Sequence, residues 1–185
     1  GSAMIYSFSL AQVSVWVGLG LLLSHGWGLF DYRQATQWIR SFPRGDAFGG
    51  GLLAAATAWS AWLAGTINLM EYTRFRPLFV LGVVGLGVTS WLYVREFIAV
   101  RSLGILFLLG ADVLLDAAFL RHDGARLIVV SYAYLIILEG MFMVGAPYLL
   151  RDAIAWGLAT PARGKLLMGL GVIFGLALLG LGLFV

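Results

Sequence analysis

Apolar residues run along this chain in six long blocks, and short polar segments separate each block from the next. A helix rising 1.5 Å per residue needs about 20 mostly apolar residues to cross about 30 Å of hydrocarbon. Windows from Phe8 to Phe30, Phe48 to Met70, Pro77 to Val94, Phe97 to Leu120, Leu127 to Leu150 and Leu166 to Val185 meet that requirement. Their continuity selects helices over barrel strands, which are about ten residues long and alternate in polarity.

The connecting segments are short. The longest, Asp31 to Asp46, sets Trp38, Ile39 and Phe42 among Arg33, Arg40 and Arg44, the mixture expected of a piece lying at headgroup depth. Arg151 to Lys165 has the same character, with Trp156 as an anchor and Pro161 as a stop. Glu71 to Arg76, Arg95-Glu96 and Arg121 to Arg126 read as tight turns between antiparallel neighbours. No segment is long enough for a soluble domain. The pattern therefore predicts an all-α integral membrane protein, a six-transmembrane-helix bundle occupying residues 4–185 as one domain. Gly1-Ser2-Ala3 ahead of Met4 reads as an expression-tag remnant.

Composition agrees with this reading. Charged residues make up 11% of the chain and hydrophobic residues 61%, against about 25% charged in an ordinary soluble domain. So few charges cannot cover a water-facing surface, and lipid must be the solvent for most of the chain. The formal net charge of +3 comes from basic residues placed between the apolar blocks, not from a basic stripe, so nucleic acid is not an expected partner. With no cysteine, thiolate metal sites and disulfide chemistry are excluded. The first block lacks a basic leader and a small-x-small cleavage site, and it reads as a retained span.

Orientation follows from basic residues on alternate connections. Arg33, Arg40, Arg44, Arg95, Arg101, Arg151, Arg163 and Lys165 fall on one side, and Arg74, Arg76, Arg121 and Arg126 on the other. The richer side belongs in the cytoplasm, which puts both termini outside; short loops suit a bacterial inner membrane. Membrane lipids are the expected surroundings. The last span carries Gly169, Gly171, Gly175, Gly180 and Gly182. Small residues let helices approach closely, either within the bundle or, in the alternative, against a second copy or a larger membrane complex.

Three acids fall within predicted hydrocarbon: Asp112 and Asp116 in the fourth span and Glu139 in the fifth. Ionised side chains at the bilayer centre cost about 2.5–3.5 kcal/mol even on the lenient insertion scale, so they face other helices or water. Asp112 and Asp116 are i,i+4 and share a helix face. Counted back from the Arg121–Arg126 turn, Asp116 lies about 11 Å deep, Asp112 about 17 Å and Glu139 about 23 Å, a possible ladder between spans four and five. Tyr132, two turns before Glu139, is placed to donate a hydrogen bond towards it. Arg101 points within about 20° of Asp112 but sits about 16 Å away along the axis. Lacking a cation of their own, Asp112 and Glu139 are expected to hold a proton or a bound cation. The structural alternative is that they are protonated and hydrogen-bonded as packing glue.

His25, just inside the first connection, is either a packing residue or a proton-relay member. It is too far from His122 for a shared metal or haem, and no cofactor is expected. Motifs for nucleotide, zinc-hydrolase or serine-hydrolase chemistry are absent from the sequence. The expectation is a proton- or cation-linked transporter or channel component, with Asp112, Glu139, Asp116 and Tyr132 as its site and His25 and Arg101 as secondary members. The alternatives are a non-catalytic subunit docking through the last span, and a lipid-modifying enzyme holding phosphate on Arg33, Arg40 and Arg44.

Overall fold

The computed structural model describes residues 5–119, 121–122 and 124–184, with only the backbone of Arg44 and Asp46. The tag-like residues 1–3 and the last residues of the fourth and sixth windows, Leu120 and Val185, lie outside this range. In chain order the α-helices are α1 (Leu10–Phe30), α2 (Tyr32–Ser41), α3 (Asp46–Thr66), α4 (Arg76–Tyr93), α5 (Ile98–Ala118), α6 (Ala125–Gly145), α7 (Tyr148–Gly157) and α8 (Pro161–Phe184). Among the described residues six helices are long and apolar enough to cross a membrane. The protein is an all-α, multi-pass membrane bundle.

Helix ends follow local chemistry. Ser9 and Gln12 form a reciprocal capping box that starts α1 at Leu10, two residues later than hydropathy alone places it. The second span stops at Thr66, short of the expected Met70. Ile67 turns extended, and the Asn68 side chain accepts the Met70 N–H at 3.0 Å. Hydropathy carries the fifth span to Leu150, but α6 ends at Gly145. Pro147 has no N–H to give, and a residue before proline avoids the helical region. Pro161, expected to stop a helix, begins one. It is the first residue of α8, where proline's missing N–H costs nothing, and Thr160 Oγ accepts the Arg163 N–H at 3.3 Å.

Glycines set the packing. A side chain at Gly18 of α1 would meet the backbone of Gly175 and Leu179 of α8, so these antiparallel helices touch main chain to main chain. Gly104 of α5 and Gly140 of α6 approach each other in the same way. At the other flank, Gly49 of α3 lies on Ile98 and Ala99 of α5, and Thr57 of α3 fills the space beside Gly87 of α4. The central core is drawn from α1, α5, α6 and α8, including Leu10, Val13, Ala111, Ala133 and Leu178. Helix α4 contributes no buried residue and packs at the edge on α3.

In α8, Gly171, Gly175 and Gly182 face α1, whereas Gly169 and Gly180 meet nothing within 4 Å. Gly175→Leu should therefore cost about 1–3 kcal/mol or more by overpacking, read as a lower thermal midpoint in detergent. Gly169→Leu should leave that midpoint unchanged. Equal effects at the two positions would contradict the α1–α8 register.

Candidate functional site

Helices α1 and α6 end on the same side of the bundle, and each is followed by a ten-residue amphipathic helix, α2 or α7. The two lie against each other there. Asp31 starts α2 by accepting the Gln34 N–H at 3.1 Å. Helix α2 turns Ala35 fully inward, onto Leu158 and Met168, while Arg33, Gln37 and Arg40 stay exposed. Arg40 donates to the Leu158 carbonyl just after α7 at 2.9 Å, tying the two short helices together. Trp38 stacks edge-on with Trp27 and Phe48, at centroid distances of 6.3 and 5.8 Å. The connections between spans one and two and between five and six, expected to lie at headgroup level, each hold one of these short amphipathic helices.

Beneath this roof lies a cavity of about 520 Å³, walled by α1, α2, α6, α7 and α8. Trp27, Trp38, Ile154 and Met168 make most of it apolar, and Ser24, His25 and Glu139 supply its polar side chains. Glu139 immediately precedes Gly140, whose bare face abuts α5, so its side chain is rotated about 100° from that seam. Among the described residues no Lys or Arg pairs with it.

The hydrogen bonds of His25 assign its tautomer. The Ser24 hydroxyl gives its single proton to the Gly20 carbonyl at 2.7 Å. His25 Nδ1 lies 3.0 Å from that same Ser24 oxygen and 3.1 Å from the Leu21 carbonyl. Both neighbours accept, so Nδ1 must carry the hydrogen and Nε2 is left as the basic nitrogen. The imidazole lies against α8 at Gly171, where a Cβ would collide with it. The lack of a side chain on Gly171 is thus a requirement of the site as well as of the packing.

The remaining candidates fall elsewhere. Gly104 opposite Gly140 sets the α5–α6 register, which makes Asp112 level with Tyr132 and Glu139 level with residue 105. Glu139 and Asp112 are therefore about 11 Å apart along the axis and do not form the closely stepped ladder that counting from the turn anticipates. Asp112 lies instead with Asp116 and Tyr6 at the end of the bundle opposite α2 and α7. Tyr6, before α1, accepts the Trp59 indole N–H at 2.7 Å. Burial raises its hydroxyl pKa, the Trp59 bond lowers it, and the nearby Asp112 and Asp116 raise it further. Tyr132 rests on Phe174 of α8, with centroids 5.4 Å apart, and stays within electrostatic reach of Glu139. The Arg101 guanidinium donates to the Val144 carbonyl at 3.2 Å, near the end of α6. His122 sits in the α5–α6 turn, away from His25. Among the described residues no cluster of three or more His, Cys, Asp or Glu could hold a metal.

Two members were not legible beforehand. Ser24 carries no signal beyond its place beside His25, and no motif or spacing marks Tyr6. Comparison with protein-family models, with curated proteins and with solved structures finds no match to this chain.

The tautomer is open to direct measurement. In ¹⁵N-histidine-labelled protein, the neutral form of the His25 imidazole should show a protonated Nδ1 and an unprotonated Nε2. A hydrogen on Nε2 with none on Nδ1 would contradict the network at Ser24 and Leu21.

Proposed function

We propose that this protein is a proton-linked membrane transporter or channel component, and that Glu139 and His25 are its proton-handling pair. The observation that supports this most is that Glu139, His25 and Ser24 line one cavity at the α2–α7 end of the bundle. Glu139 brings a carboxylate without a pairing cation, and His25 offers a basic Nε2 fixed by the bonds at Nδ1. An acid and an imidazole sharing one mostly apolar cavity are suited to passing a proton, because each can change charge without an ion pair being broken. Tyr132 lies two turns from Glu139 towards the far end and is the next hydroxyl on that route. Asp112 and Asp116, beside Tyr6, form the acidic station of the opposite half.

The arginine bias makes the α2–α7 end cytoplasmic and puts both termini outside. Short connections on both faces suit a bacterial inner membrane. In this arrangement protons reach Glu139 from the cytoplasm through the cavity beneath α2.

The test is proton flux into liposomes holding the purified protein, driven by a potassium-diffusion potential and followed with a pH-sensitive dye. Glu139→Gln keeps the shape and removes the titration, and it should abolish the flux while leaving the thermal midpoint within experimental error of wild type. His25→Gln should slow the flux without abolishing it, because Glu139 remains. Flux unchanged in Glu139→Gln, or absent from wild type, would contradict the proposal.

A further inference from the structure

On the outer flank of α2 a second cleft opens, of about 390 Å³, between that helix and the corner joining α7 to α8. Its wall on the α2 side is Tyr32, Arg33, Thr36, Gln37 and Arg40, and its opposite wall is Leu158, Ala159 and Pro161. Every charged side chain lining it is an arginine. The nearest acid along the chain, Asp31, is occupied in capping α2. Arg40 is held in place by its bond to the Leu158 carbonyl, which leaves its other N–H groups free to meet a ligand. Arg33 and the Gln37 amide are exposed at the mouth. Lys165 stands 5.8 Å over the Tyr32 ring and adds positive charge to the rim.

A neighbouring cleft on the same end of the bundle shows the contrast. It also contains two arginines, Arg95 and Arg151, but Glu96 lines it too, and Arg151 pairs with Asp152 at 2.8 Å. An anion is met there by opposing charge. The cleft beside α2 has none among its lining residues.

We infer that the Arg33–Arg40 cleft binds the phosphate of an anionic phospholipid headgroup. Guanidinium groups match phosphate oxygens in fork geometry, and the Gln37 amide adds a neutral donor. The choice of a lipid over free phosphate rests on what adjoins the cleft. Leu158 lines both this cleft and the apolar cavity beneath α2, so the two are separated only by α2 and the Leu158 segment. Ala35, Trp38 and Ile39 on the other side of α2 then offer an acyl chain a dry wall next to the place where its phosphate is held. Inorganic phosphate would use only the polar half. This site stands independently of proton handling, because none of Ser24, His25 or Glu139 lines the cleft.

The test is native mass spectrometry of the full chain in detergent with equimolar phosphatidylglycerol and phosphatidylcholine of identical acyl chains. Wild type should retain phosphatidylglycerol preferentially. A basic residue beside an anionic lipid contributes about 1 kcal/mol, so Arg33→Gln should reduce the preference about fivefold and Arg33→Gln/Arg40→Gln about 25-fold. Arg74→Gln, at the opposite end, should leave it unchanged. Arg33→Gln is the arm that survives if loss of the Arg40–Leu158 bond unfolds the double variant, since Arg33 is exposed and its side chain bonds to no other described residue. Equal retention of the two lipids by wild type, or an undiminished preference in Arg33→Gln, would overturn the site. Displacement of phosphatidylglycerol by millimolar inorganic phosphate would overturn the lipid assignment in favour of the free anion.

Discussion

In hydrocarbon no hydrophobic force draws one apolar helix to another, so association depends on how closely backbones approach and on the few polar contacts between them. Here the approach is made where glycine removes the side chain. Gly18 lies against Gly175 and Leu179, and Gly104 lies against Gly140, and each contact locks two antiparallel helices in a single register. Everything placed along those helices inherits its depth and direction from these contacts. A shift of one residue at Gly140 would rotate Glu139 by about 100° and could close the cavity it now lines.

The same logic carries from packing to site. The α1–α8 register puts the His25 imidazole on Gly171, where no side chain stands in its way. Ser24, back-bonded to Gly20, presents its oxygen to Nδ1 and so leaves Nε2 as the basic nitrogen. Pro147 ends α6 and turns the chain into α7, and Asp31 starts α2 directly after α1. Those two short helices border the space between α1, α6 and α8, which gives an acid and an imidazole a shared and mostly apolar cavity. Their outward faces carry the arginines, and this division lets one end of the bundle present an apolar cavity and a cationic cleft side by side.

Much of the architecture was legible in the residues. Six blocks of sufficient length point to six spans, and the aromatic-basic segments at Trp38 and Trp156 mark the two connections that form short amphipathic helices. Span ends were less legible, because hydropathy does not register backbone chemistry. The apolar run continues through Pro147, where the helix cannot, and Pro161 can equally close one helix or open the next until its neighbours are known. The acids show the same limit at the level of the site. Depth counted from a turn placed Asp112 and Glu139 on one ladder, but the pairing of Gly104 with Gly140 and the rotation of Glu139 away from the seam depend on a crossing that no single helix encodes. His25, marked as secondary, proved to share the cavity of Glu139. Asp112 joined Tyr6 at the other end.

Proton handling at Glu139 requires that this side chain face a space open to the α2–α7 side of the membrane. Because the chain has no cysteine, a single Glu139→Cys substitution gives one reporter thiol in an otherwise unreactive background. In right-side-out and inverted vesicles, a charged, membrane-impermeant maleimide should label that thiol only when applied from the side bearing α2 and α7. Protection of the thiol from both sides, or labelling from the opposite side, would contradict the cavity and the proton-handling role assigned to it.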